Sequence, residues 1–340
     1  MKDIINIQKK IIPEAFATFE KRYDILRNIY ILQPIGRRAL ANRLSIGERI
    51  VRGEMEFLKE QGLIDVNPAG MMITHEGLVL MDQLKEIIYH LRGISGLQEQ
   101  LKKKLQINSV YIVPGNIEND KYVLRDLSKT TSRILEGSLV ENSIVGVTGG
   151  STMAEVANEM TQQSKKRGIV VVPARGGLGK KVESQANTIA AVMANKLNGS
   201  YQLLHASDTM SQEAIESILQ DPEIKKITDL IKQVNILVFG IGRSDKMAER
   251  RELSQEIIEL LQSRRAVAEA FGHYFNRDGE IVHEMKTVGI NLEDFCKVPT
   301  TIGVAGGPKK AEAIVAISKI KKDLILVTDE GATREILEKY

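Results

Sequence analysis

The stretch Ser143-Ile144-Val145-Gly146-Val147-Thr148-Gly149-Gly150-Ser151-Thr152 decides the architecture of most of this chain. Its short run of β-branched residues predicts a buried strand, and helical sequence begins at Met153. Between the two, a pair of glycines lets the backbone approach a ligand closely. Two hydroxyls and the amides of a helix start supply donors. A strand, a glycine-rich turn and a helix in that order suit an anion such as a phosphate. The loop is neither GxxxxGK[ST] nor GxGxxG, so nucleoside triphosphates and nicotinamide dinucleotides are not indicated.

The same unit recurs along the chain. Ile169–Val172 leads into Pro173-Ala174-Arg175-Gly176-Gly177-Leu178-Gly179, and Ile236–Phe239 into Gly240-Ile241-Gly242. Ile302–Ala305 leads into Gly306-Gly307-Pro308-Lys309-Lys310, and Leu324–Val327 into Thr328-Asp329-Glu330-Gly331-Ala332. Alternating strands and helices predict a doubly wound, Rossmann-like α/β domain with a mainly parallel sheet. Ligands of such sheets lie beyond the carboxyl ends of the strands, where these glycines cluster. The Gly306–Lys310 loop adds cationic side chains to the same placement, and Arg175 stands at a third strand end. The expected ligand therefore carries two phosphates, or one phosphate and a polar body. Each glycine loop taken singly is equally consistent with a plain tight turn.

Glu269 sits in the apolar stretch Val267-Ala268-Glu269-Ala270-Phe271. It suits hydrogen bonding to sugar hydroxyls as well as proton transfer in a sugar-phosphate isomerase or deaminase, for which Asp329 and Glu330 are further candidates. His273 and His283 flank an expected hairpin at Asn276-Arg277-Asp278-Gly279 and are read as structural or solvated. Cys296 is read as a packing residue.

Residues 1–92 are patterned differently and are expected to form a separate domain, with 93–340 as the second. Pro13 suits the first turn of a helix running to Leu32, broken at Gln33-Pro34-Ile35-Gly36. A short helix from Arg37 to Leu44 and a longer one from Gly47 to Glu60, closing on Gly62, follow. Leu63–Val66 and Met71–Thr74 around the turn Asn67-Pro68-Ala69-Gly70 predict a hairpin, and Glu76–Leu91 another helix. That order outlines a winged helix-turn-helix, whose second helix enters the DNA major groove. Glu48, Arg49 and Arg52 lie near the start of that helix, and Arg49 and Arg52 share a face from which either can pair with a guanine. Ile50, Val51, Met55 and Leu58 are expected to face the core. Arg37, Arg38 and Arg43 are candidates for phosphate contacts. The wing between Asn67 and Met71 lacks a basic residue, and the same fold also serves as a protein-docking module.

Composition excludes several classes. Forty-three per cent apolar and 27% charged residues in 340 describe a folded chain. Its longest apolar runs, such as Ile169–Pro173 and Asn235–Phe239, fall far short of the roughly 18 to 20 residues of a membrane span. The opening Met1-Lys2-Asp3 argues against secretion. One cysteine and five scattered histidines argue against a disulfide framework and a metal site. The net charge of +3 is bland, but Arg37–Arg52 holds five arginines and one acid, Glu48. With 4% aromatics and no tryptophan, stacking on single strands is not indicated.

Four segments together resemble the SorC family of sugar-binding transcription regulators over essentially the whole chain. They are Ile35-Gly36-Arg37-Arg38 through Arg52-Gly53-Glu54, Val147–Thr152, Val172–Gly179 and Leu326–Ala332. The resemblance implies a repressor of the operon for lower-glycolysis enzymes. Its effector domain would be non-catalytic, without cofactor or metal, and similar in fold to glucosamine-6-phosphate deaminase and ribose-5-phosphate isomerase. Fructose-1,6-bisphosphate is the implied inducer, with other glycolytic phosphosugars as weaker ligands. A phosphate is implied on Gly149, Gly150, Ser151 and Thr152, with Arg175, Gln185, Arg250, Arg251, Glu269 (to sugar hydroxyls) and Lys310 as further contacts. Pro308 stands where the pattern has a small hydroxylic residue, which removes one N–H donor. Duplex operator DNA and further copies of the chain are the implied partners, as dimers pairing into tetramers on DNA. Glu76–Leu91 and Leu97–Leu105 are candidate subunit contacts. A cytoplasmic location is expected. The effector would favour an arrangement with the DNA heads misaligned or the tetramer loosened.

Overall fold

The computed structural model describes residues 8, 10–161, 166–178, 181–207 and 210–340, the side chains at 82, 85, 86, 90 and 212 excepted. The opening Met1-Lys2-Asp3 and Gly179 lie outside the described residues. The chain divides into two compact units, Met1–Ser95 and Gly96–Tyr340.

In the first unit, helix α1 (Pro13–Leu32) starts on its proline and stops where Gln33 turns extended before Pro34. Helices α2 (Arg37–Leu44) and α3 (Glu48–Glu60) meet at a turn in which Ser45 is left-handed, φ 53°. Strands β1 (Ile64–Asn67) and β2 (Gly70–Ile73) pair antiparallel, with Asn67 Oδ1 accepting from the amides of Ala69 and Gly70. Met71 also exchanges both backbone hydrogen bonds with Ile35, so the hairpin is stitched to the segment before α2. Helix α4 (His75–Leu91) packs against α1. Ile25, Ile29, Leu40, Val51, Leu58, Ile64, Met71 and Ile88 fill the core.

One expectation fails on α3. Ile50 is 47% exposed, not core-facing. At about 100° per residue the inward stripe runs Val51, Glu54, Leu58, and Ile50 is turned off it. The inward Glu54 is held by Lys21 Nζ at 2.6 Å and Arg22 Nε at 2.7 Å, and the Arg22 guanidinium lies 3.6 Å from the Phe57 ring centre. Burial opposes ionisation of Glu54, but these two cations hold its carboxyl below the ordinary value.

Helix α5 (Ile94–Leu105) leads into the second unit. Its elements are β3 (Ser109–Val113), α6 (Lys121–Ser138), β4 (Ile144–Val147), α7 (Ser151–Glu159), β5 (Val170–Pro173), α8 (Ala186–Lys196), β6 (Ser200–Tyr201), α9 (Gln212–Ile218) and α10 (Pro222–Ile231). They continue with β7 (Ile236–Gly240), β8 (Gly242–Arg243), α11 (Ser244–Arg250), α12 (Gln255–Ser263), β9 (Ala266–Ala270), β10 (His273–Asn276) and β11 (Ile281–Glu284). The last are α13 (Leu292–Lys297), β12 (Thr300–Val304), α14 (Ala311–Ile320), β13 (Ile325–Asp329) and α15 (Glu330–Lys339).

Seven strands form one parallel sheet in the order β3-β13-β12-β7-β4-β5-β6. From β4 the chain steps outward through β5 to β6; from β7 it steps the other way through β12 to β13. The reversal opens a crevice between β4 and β7, the preferred ligand position of an open α/β sheet. A second, four-stranded antiparallel sheet, β11-β10-β9-β8, was not foreseen beyond its hairpin. It begins at β8, directly after β7, and pairs Gly242 with Glu269 of β9. This register carries Glu269 to the crevice. Cys296 is exposed rather than packed, because the neighbouring Phe295 takes the inward position against Phe239 and Phe271. Among the described residues, no helix is long and apolar enough to cross a membrane.

Candidate functional site

The loops after β4, β5, β7 and β12 enclose a cavity of about 220 Å³ at the strand-order reversal. Thr148, Gly149, Gly150, Ser151, Thr152, Arg175, Arg250, Arg251, Glu269 and Lys310 line it.

The β4 loop is shaped by its neighbours. Thr148 N–H donates to Val238 O, and Gly240 N–H donates to Thr148 Oγ1, which ties the loop to β7. Gly150 N–H donates to Ser184 O at 2.9 Å. A Cβ at Gly149 would sit 2.9 Å from that same carbonyl, and Gly150 has φ +122°, so both positions require glycine. The amides of Ser151, Thr152 and Met153 belong to the first turn of α7, where no preceding helical carbonyl accepts them. They meet the cavity together with two hydroxyls. Free helix-start amides beside hydroxyls are the kind of donor set that suits an anion.

A buried ion cluster forms the opposite wall. Glu269 Oε1 accepts from Arg175 Nη1 at 2.8 Å, Arg251 Nη2 at 3.0 Å and Gly272 N at 2.9 Å. Arg251 Nη1 donates to Tyr274 Oη at 3.1 Å. Burial opposes ionisation of Glu269, yet Arg251, Arg175 and the Gly272 amide hold its carboxyl below the ordinary value. A general base needs a pKa near working pH, so this carboxylate is a poor proton shuttle and a good fixed acceptor. Burial likewise pushes the Tyr274 hydroxyl above its ordinary value, against the pull of Arg251.

Two charged residues that line the cavity were missed in the sequence, Arg243 and Lys246. With Arg250 they project cations from the segment after β7. The signal was present as basic residues at helical spacing behind Gly240-Ile241-Gly242. Arg243 Nη2 pairs with Asp245 at 2.5 Å and Lys246 Nζ with Glu249 at 2.7 Å.

Gln185, between the lining residues Ser184 and Ala186, has its Oε1 accepting from Leu178 N and its Nε2 donating to Leu178 O, which staples the β5 loop. The Gly306–Lys310 loop is not a second open anion seat. Gly307 N–H donates to both oxygens of Asp329 at 3.0 and 2.9 Å, and Lys309 N–H donates to Glu118 Oε1 at 3.0 Å. The chain's own carboxylates fill it, so the missing N–H of Pro308 removes nothing from the site. Only the Lys310 side chain reaches the cavity, its Nζ donating to Ile241 O at 2.8 Å. Asp329 also accepts from Ile117 N and Ala332 N, and Glu330 is engaged by Gly115 N and Arg334, so both acid/base candidates are structural.

In the first unit, Arg37, Arg38, Arg43, Glu48, Arg49 and Arg52 are all exposed. Arg38 Nε stands 3.4 Å from Glu48 and Arg52 Nε 3.1 Å from Glu56, weak surface pairs that a competing phosphate or base edge can replace. Arg49 and Arg52 stand on the outer face of α3, opposite Val51 and Leu58.

Comparison with known proteins extends these findings. A family model described as the CggR N-terminal DNA binding domain matches residues 18–88, and one described as a sugar-binding domain matches residues 89–338. The central glycolytic genes regulator of Priestia megaterium is 43% identical over 341 residues, covering 100% of both chains. That of Bacillus subtilis is 42% identical over 99% of each. The crystal structure of a SorC family transcriptional regulator from Enterococcus faecalis matches at TM-score 0.67 and 37% identity, covering 71% of this chain and 99% of that one. These relatives are transcription regulators, not enzymes, and the locked Glu269 carboxylate agrees with them. The exposed arginines lie in the DNA-binding part and the cavity in the sugar-binding part, and the chain belongs to the SorC family of sugar-binding transcription regulators.

Proposed function

We propose that this chain is a cytoplasmic repressor of glycolytic genes whose operator binding is relieved by a phosphosugar, with fructose-1,6-bisphosphate as the effector. The observation that carries the reading is the cavity itself. One open backbone seat for a phosphate, Gly149–Thr152, shares it with the cations of Arg243, Lys246, Arg250 and Lys310 and with the fixed acceptor Glu269. A ligand with one phosphate on the loop, hydroxyls toward Glu269 and a second anion among the side-chain cations suits that layout. Placing ligands at the strand-order reversal supports likeness to the glucosamine-6-phosphate deaminase and ribose-5-phosphate isomerase fold without their proton transfer. Residues 1–92 would read duplex DNA, Arg49 and Arg52 contacting bases, Arg37, Arg38 and Arg43 contacting phosphates, and Glu48 steering the approach. A palindromic operator requires two such heads about one helical turn, ~34 Å, apart, hence dimers with 76–91 and 97–105 as their contacts, which would pair into tetramers on DNA as in the family.

Titration of the purified chain with fructose-1,6-bisphosphate, following melting temperature and binding to duplex operator DNA, tests the reading. A raised melting temperature with weakened DNA binding is expected. Unchanged operator affinity and stoichiometry at saturating effector would overturn the control mechanism; no melting shift would overturn the effector. Arg52→Ala should cost about 1–3 kcal/mol of operator affinity and leave effector binding intact.

A further inference from the structure

Two lysines line the cavity, and their surroundings differ. Lys246 pairs with Glu249 Oε2 at 2.7 Å, which raises its pKa above the ordinary value. Lys310 donates instead to a backbone carbonyl, Ile241 O. Among the described residues no carboxylate forms an ion pair with it. Acids near it are engaged elsewhere: Asp329 by Gly307, Ile117 and Ala332 amides, Glu330 by Gly115 N and Arg334, Glu118 by Lys309, Glu269 by Arg175 and Arg251. The charged groups that do act on Lys310 are Arg243 and Arg250, both cations on the segment after β7. Burial, with these like charges adding to it, pushes its amine down to about 8. Roughly a quarter of such an amine is unprotonated at pH 7.5, against about one part in a thousand for an ordinary lysine. A desolvated lysine beside other cations is the arrangement that activates amines toward carbonyl carbon.

We infer that Lys310 is a carbonyl-reactive lysine, forming a reversible imine with phosphorylated aldehydes or ketones whose phosphate sits on the Gly149–Thr152 loop. The neutral Nζ lone pair adds to the carbonyl carbon and gives a carbinolamine. One of the two nitrogen protons passes to the former carbonyl oxygen in that step, and the other leaves with the resulting hydroxyl as water, forming the C=N bond; no oxidant or reductant is consumed. The inference rests on the cavity being the phosphate-ligand site, and adds an activity that binding does not require. Small open-chain carbonyl phosphates would thereby be held covalently where a cyclic phosphosugar is held only by contacts.

The test uses pyridoxal 5′-phosphate on the full-length chain, with borohydride reduction and peptide mapping, beside a melting titration with fructose-1,6-bisphosphate. One adduct on Lys310 is expected, at least about tenfold more than on Lys246, as the free-amine ratio dictates. It should be blocked by the bisphosphate, be weak with unphosphorylated pyridoxal, and grow from pH 6.5 to 8.5. Lys310→Arg should abolish the adduct, because a guanidinium stays protonated and has no free lone pair to add to the carbonyl. Bisphosphate binding with label scattered or on Lys246 overturns the lysine assignment and leaves the cavity reading standing. Neither a melting shift nor a protected label overturns both.

Discussion

The loops Gly149–Thr152 and Gly306–Lys310 both follow strands of one parallel sheet, both place paired glycines before helical sequence, and differ in what fills them. In the first, the glycines serve a close approach to Ser184 and a left-handed turn, and the helix-start amides meet the cavity. In the second, Asp329 and Glu118 already occupy the donors, and one lysine side chain is what remains for a ligand. A glycine-rich strand end therefore specifies the shape of an anion nest. Whether the nest is open depends on which carboxylates the rest of the fold brings to it.

The contrast can be broken or sharpened by substitution, and the largest effect is expected at the filled loop. Asp329→Ala strands the buried amides of Gly307 and Ala332 and the half-buried amide of Ile117, which should destabilise the second unit by about 4 kcal/mol in denaturant titration. At the open loop, the pair Ser151→Ala and Thr152→Val should leave the unliganded melting temperature nearly unchanged. Calorimetry should then show a loss of about 2 kcal/mol, roughly thirtyfold, in phosphosugar affinity. A large stability loss there would mean that both loops are structural.

A smaller effect concerns Lys310. A bound phosphate favours its charged form, whereas the free amine loses its proton near pH 8. Binding above that pH must take up a proton, so affinity should fall as pH rises from 7 to 9, by at most about tenfold per unit. Lys310→Arg should flatten the profile. The least effect is expected for Glu118→Gln. It weakens an exposed pair with Lys309 Nζ, 3.1 Å long, and should change stability by no more than about 1 kcal/mol, with phosphosugar affinity unaltered. A second equivalent of bound phosphate in that variant would break the comparison, because the nest would then be one carboxylate away from open.

Much of the fold was legible because local chemistry fixed it. Pro13, Pro34 and Gly62 bound the helices of the first unit, and β-branched runs ending in glycine marked the strands that flank the cavity. The exceptions share a cause. Ile50 looked like core because it is apolar, but the inward position on α3 went to Glu54, whose partners Lys21 and Arg22 lie more than thirty residues away. The Gly306–Lys310 turn looked like an open anion seat, but Asp329 and Glu118 fill it. The cations Arg243 and Lys246 were in view, but nothing local placed them at the cavity before β8 and β9 fixed the second sheet.

The sequence by itself determined the helices and hairpin of the first unit, the strands that flank the cavity and the glycine-rich turn at Gly149–Thr152, because strand runs, helix breaks and glycine geometry depend on near neighbours along the chain. Only the tertiary structure decided that Glu269 is a locked acceptor, that the Gly306–Lys310 nest is filled, and that Lys310 has no carboxylate partner among the described residues. Burial and pairing between residues tens to hundreds of positions apart control charge, and no local pattern encodes which distant carboxylate arrives first.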